Sequence, residues 1–151
     1  MPVTPNFYLS VKIEVQKSDG NWLDVSDGTV YRVNKGTFEN SAITFRRDEV
    51  TNAFVEGKFT VNALRDNVTE TLAIYVYGDT TSALKNAIDA LTTAVSQVNF
   101  HVRVTLENSQ RLWECWASDY TVNVTNEFFH NRQALVTIQL HRLPSETVTT
   151  V

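Results

Sequence analysis

Phe100-His101-Val102-Arg103-Val104-Thr105-Leu106 and Ala134-Leu135-Val136-Thr137-Ile138-Gln139-Leu140-His141-Arg142-Leu143-Pro144 bracket the stretch whose reading decides the fold. In the first, Phe100, Val102, Val104 and Leu106 alternate with His101, Arg103 and Thr105. In the second, Ala134, Val136, Ile138 and Leu140 alternate with Leu135, Thr137, Gln139 and His141. Strict two-residue alternation marks a strand with one buried face. Between them sit Trp113, Trp116 and Tyr120, the densest aromatic patch of the chain. Arg111 to Ala117 reads as the return arm of a hairpin through Asn108-Ser109. Thr121 to Thr125 reads as a further short strand, and Asn126 to Arg132 as a connection. Pro144 is expected to end the last strand. Residues 145–151 read as a polar, β-branched tail with no core to join. Trp113 and Trp116 are expected to be scaffold, one facing inward and one outward, set by a bulge.

Upstream, residues 80–97 form the one convincing helix. Leu84, Ala87, Ile88, Leu91 and Val95 recur at three- and four-residue spacing, opposite Lys85, Asn86, Asp89 and Thr93. Gly78-Asp79-Thr80-Thr81 supplies N-cap side chains. A single amphipathic helix must bury its stripe against a sheet. Thr71 to Gly78 is apolar on both faces, as a strand covered from both sides would be. Phe54 to Arg65 and Phe7 to Gln16 alternate as strands, and Gly57 hints at a bulge. Ser18-Asp19-Gly20-Asn21 turns the chain into a short strand at Trp22 to Val25. Val30, Tyr31 and Val33 suggest another, as do Ile43, Thr44 and Phe45. Residues 1–6, with Pro2 and Pro5, form an N-terminal arm.

Residues 34–53 stand out as an extended polar loop, long for a domain of this size and a candidate assembly interface. Its candidate contact residues are Asn34, Lys35, Gly36, Arg46, Arg47, Asp48, Glu49 and Asn52. The whole therefore reads as one α+β domain over residues 1–151. It is a mostly antiparallel β-sandwich or open barrel with one helix packed across it.

No stretch carries recognisable chemistry. The chain has 151 residues, 42% hydrophobic and 20% charged, with a formal net charge of −4. Its basic residues are scattered apart from Arg46-Arg47, so the clustered Lys/Arg of a phosphate grip is absent. His101, His130 and His141 share no metal-ligand spacing with one another or with Cys115. Five glycines form no phosphate-cradling turn, and no nucleophile motif appears. These patterns predict no cofactor, no metal and no enzymatic activity. The single cysteine excludes an intramolecular disulfide framework and fits synthesis in a reducing cytoplasm. No apolar run is long enough for a transmembrane helix, so no membrane anchoring is expected. A sugar-binding sandwich using Trp22, Trp113 and Trp116 as stacking platforms is an alternative from another class.

Phe100 to Leu106, then Trp113-Glu114-Cys115-Trp116-Ala117-Ser118-Asp119-Tyr120-Thr121-Val122, then Arg132 to Pro144, resemble the C-terminal part of minor tail proteins of long-tailed phages, particularly those of actinobacteria. In that pattern a hairpin carries a tryptophan, an Ala-Asp-Tyr step follows, and a final strand ends in Arg-x-Pro. Here the step is Ala117-Ser118-Asp119-Tyr120, one residue longer. The match covers about the last 75 residues, and the first half contributes only strand order. The resemblance implies a tail-tube type of fold and assembly into rings, commonly hexamers, in a virion tail put together in the host cytoplasm. Its partners would be other copies of itself and other tail proteins. DNA would pass along the ring channel without specific binding, which an acidic wall favours. A tail terminator or completion protein is the alternative within the same assembly.

Overall fold

The alternating segments pair into a seven-stranded antiparallel sheet. A computed structural model describes residues 11–34, 37–38, 45–51, 58–123 and 132–150, and along 45–51 and 58–64 the backbone alone. The elements are β1 Val11–Gln16, β2 Trp22–Asp24, β3 Tyr31–Val33, β4 Phe45–Thr51, β5 Lys58–Arg65, β6 Val68–Tyr77, α1 Thr81–Val95, β7 Asn99–Leu106, β8 Ser109–Asn123 and β9 Gln133–Thr150. The large sheet has the order β2-β1-β7-β8-β9-β6-β3, and β4 pairs with β5 separately.

The sheet curls into a nearly closed, barrel-like wall. Ile13 and Val15 from near one end and Tyr31 from the other belong to the same buried cluster as Leu72, Ile74, Val102, Val136, Ile138 and Leu140. The expected alternation holds: Ala134, Val136, Ile138 and Leu140 face inward along β9, opposite Val76, Ile74, Leu72 and Glu70 of β6. The helix lies across the inward face. Leu84, Leu91, Ala94 and Val95 are buried there, and Lys85, Asn86, Asp89 and Thr93 face out. Thr80 caps it by accepting from the Ala83 N–H at 3.1 Å. Three contacts fix its position. The Tyr31 hydroxyl donates to the Ala87 carbonyl at 2.8 Å. The Gln97 amide donates to the carbonyls of Ala94 and Gln16, both at 2.7 Å. Gly78 meets the helix so closely that a Cβ would lie 2.3 Å from the Leu84 nitrogen.

Three expectations need correction. Residues 145–150 are no tail: they continue β9 past Pro144 and pair with the start of β8, from Trp113↔Glu146 to Ser109↔Thr150. Pro144 does not end the strand, because it falls where the register shifts between Trp113 and Cys115, and a bulge does not ask it for a ladder hydrogen bond. Arg111–Ala117 and Thr121–Thr125 are not separate strands: the described residues 109–123 form one strand with a second shift between Trp116 and Asp119. The two tryptophans face opposite ways as expected, but by plain alternation over three residues and not by a bulge. The extra residues of the first shift lie on β9, and the second shift follows Trp116. Trp113 is buried inside, whereas Trp116 is half-buried on the outer face. The expected strand residues 7–10, 43–44, 54–57 and 124–125, and the arm 1–6, lie outside the described residues.

Candidate functional site: the outer face and the edges of the sheet

With the helix on the inner face, the outer face can be read row by row from the register. One end is a charged patch. Arg103 grips Glu14 with two hydrogen bonds, Nε at 3.0 Å and Nη2 at 2.8 Å, and its guanidinium lies 4.2 Å over the Trp22 ring. Glu14 is thereby buried by its partners rather than by the core.

The middle of the face carries Trp116, stacked on His141 at 6.1 Å and 13°. His141 Nδ1 lies 3.3 Å from the Thr69 hydroxyl, and Nε2 lies 3.4 Å from Asp119 Oδ2. Hydroxyl, imidazole and carboxylate in that order match the parts of a nucleophile relay. Their setting does not. Thr69 and His141 are direct cross-strand partners, so ladder register brings them together, and the Asp119 side chain is 90% exposed. A relay also needs donors aimed at an oxyanion, and the backbone beside Thr69 is committed to the β6–β9 ladder. Beyond this row the face continues with Thr71, Gln139, Thr137 and Thr121, an uncharged polar surface.

The densest polar network faces the opposite way. Arg142 points inward and donates to Glu70 Oε1 from Nε at 3.2 Å and Nη2 at 2.9 Å. Its guanidinium lies 4.5 Å over the Trp113 ring, and Nη1 donates to the Leu143 carbonyl at 3.0 Å. Trp113 Nε1 in turn donates to Glu146 Oε2 at 2.7 Å, and Arg111 Nη1 reaches Glu146 Oε1 at 2.7 Å. Phe38 meets the Trp113 ring edge-on at 5.3 Å. Cys115, the register partner of Arg142, is buried, and burial pushes its thiol up to about 12, too high for a nucleophile at neutral pH. The network is a structural clamp that ties β6, β8 and β9 together across the bulge between Trp113 and Cys115.

The expected interface residues do not converge on one described loop. Asn34 follows β3, its N–H donating to the Ala73 carbonyl at 2.7 Å. Arg46, Arg47, Asp48 and Glu49 stand on β4, paired with Leu64, Ala63, Asn62 and Thr60 of β5, with an irregularity between Asp48 and Glu49. Lys35, Gly36 and Asn52 lie outside the described residues. No local pattern marks the clamp, because its acid and base stand 72 residues apart in the chain; the one signal is a charged residue at an inward phase of each strand. No group of three or more His, Cys, Asp or Glu that could hold a metal occurs among the described residues. No helix of the described residues is long and apolar enough to cross a membrane.

Known proteins share this architecture. No protein-family model matches the chain, and no curated protein matches it. Among solved structures, the chain is similar to the SPP1 Dit protein, described as a paradigm of the hub adsorption apparatus in phages that infect Gram-positive bacteria. The TM-score is 0.60 at 16% identity, over 87% of this chain and 49% of that one. It is also similar to a chain of the phage P2 baseplate in its activated conformation with Ca, with a TM-score of 0.58 at 12% identity, over 86% of this chain and 43% of that one. The chain thus spans about half the length of these structural neighbours or less. At such identities the likeness is one of fold, and the fold is that found in a phage hub protein and a phage baseplate.

Proposed function

We propose that this protein is a non-enzymatic structural component of a phage tail, at or near the tail tip, forming a ring around the DNA channel. The observation that carries the reading is the fold shared with the SPP1 Dit hub protein across nearly nine-tenths of this chain. The tail-protein pattern from Phe100 to Pro144 supports it independently, because that pattern lies in the residues themselves and not in the fold. The inward face is filled by core and helix, which leaves the outer face and edges as the surfaces for neighbours. Other tail proteins are the partners, and DNA passes without sequence-specific contact past a chain of net charge −4. Asn34, Arg46, Arg47, Asp48 and Glu49, with Lys35, Gly36 and Asn52, remain the proposed subunit contacts.

Mass photometry at micromolar concentration with negative-stain imaging tests the ring. Closed annular particles of several subunits are expected. A monodisperse monomer with no rings on the grids would overturn it. The sugar-binding alternative is disfavoured by the tryptophans. Trp113 is buried, Trp22 has Arg103 over its ring, and Trp116 has His141 on one face.

A further inference from the structure

The seven-stranded sheet has two terminal strands, and each is blunted. β2 and β3 are three residues long and carry Asp24 and Arg32. Short, charged edges are how folded proteins avoid pairing with other chains. A third edge is different. Beyond Arg142, β9 has left β6 behind, since the β6–β9 ladder ends at Val68↔Arg142. From Glu146 to Thr150 it pairs, among the described residues, with β8 alone. All of Ser145 to Thr150 is exposed, with Val148 at 57%.

The backbone on that side is aimed outward by the hairpin next door. Leu106 and Ser109 are partners across the two-residue turn Glu107-Asn108, which makes them a hydrogen-bonded pair. Alternation along β8 then turns Gln110 and Leu112 toward β9, where they meet Thr149 and Thr147. Glu146, Val148 and Thr150 consequently present their N–H and C=O groups to the free side. The usual blunting devices are spent elsewhere. Glu146 is the segment's one charge, and it is tied to Arg111 and Trp113. Pro144 lies before the open edge, at the bulge.

We infer that this edge pairs with the same edge of a second copy of the chain, antiparallel and centred on Val148. The segment is self-complementary in that register. Val148 faces Val148, Thr147 faces Thr149, and Glu146 faces Thr150, so no like charges meet and β-branched residues stand opposite one another. A two-fold contact of this kind is isologous, the same surface serving both partners. It stands whether or not the chain also closes into a ring.

The test is oxidative cross-linking of the full chain carrying Val148→Cys. Paired residues at that position have Cα atoms about 5.5 Å apart, inside the range a disulfide spans. The native thiol does not interfere, because Cys115 is buried. A shift of the non-reduced band to twice the monomer mass is expected, lost in denaturant. Thr147→Cys and Thr149→Cys should each stay monomeric alone and cross-link when mixed. Val148→Pro, which removes the central donor, should abolish the dimer in sedimentation velocity while the circular dichroism spectrum stays unchanged. Rings in which Val148→Cys fails to cross-link would overturn this inference and leave the ring standing. Cross-linked dimers without rings would do the reverse.

Discussion

Arg142 and Glu70 meet inside the sheet, Nη2 to Oε1 at 2.9 Å, with side chains 10% and 4% exposed. They occupy inward positions that the alternation of β9 and β6 would otherwise give to apolar residues. Removing one member of a buried pair leaves the other charge without its counterpart, which costs about 3–5 kcal/mol. Arg142→Met is therefore expected to destabilise strongly. Replacing both, as Glu70→Leu with Arg142→Met, should recover most of the loss. Urea titration of the two singles and the double, read as a cycle, checks this; additive losses would refute the coupling.

Glu146 holds the last segment of β9 down through Trp113 and Arg111. Its loss should loosen that segment without reaching the core, because Val136, Ile138 and Leu140 are buried on the far side of the bulge. Glu146→Ala is expected to speed amide exchange at residues 146–150, with protection at 134–140 unchanged. Hydrogen-exchange mass spectrometry resolves the two regions.

These two residues also show where the sequence was legible. Alternation exposes a strand only when one face is buried and the phase is unbroken. Phe100–Leu106 and Ala134–Leu140 satisfy both conditions, and the structure follows them. In β8 the phase slips between Trp116 and Asp119, where three residues span two of β9, so one strand looks like two. Thr147 to Thr150 is strand because β8 offers it a ladder, not because it covers core, so its composition resembles a tail. Arg46 to Glu49 is strand by pairing with β5 in the same manner. The clamp was illegible because Glu70 and Arg142 are brought together by strand order, which no local pattern records.

Gly78 is required for a close approach rather than for an unusual backbone angle. An added Cβ would lie 2.3 Å from the Leu84 nitrogen and 2.6 Å from its Cα, atoms of helix backbone that cannot swing away. Overpacking of this kind costs about 1–3 kcal/mol. Gly78→Ala should lower the thermal midpoint and shift the start of α1, and an unchanged midpoint would refute the contact.

Alkaline pH should unfold the protein through two buried groups. Burial pushes the Cys115 thiol up from 9.0 to about 12, with Arg142 opposing the shift, and the Tyr31 phenol up from 10.0 to about 12, with Asp27 adding to it. The folded state thus holds both protons after the unfolded chain has begun to release them. Their contribution is fully present below about pH 9 and is lost as pH rises through about 12. Ionising Tyr31 also removes the proton it donates to the Ala87 carbonyl, so sheet and helix lose a tie in the same window. Stability measured by urea titration should be flat from pH 7 to 9 and then decline. Cys115→Ala should delay the onset of the decline, and Tyr31→Phe should reduce its slope above pH 10 at a cost of about 1 kcal/mol at neutral pH from the lost hydrogen bond. Parallel curves for the two variants and the parent chain would show that neither group is coupled to folding.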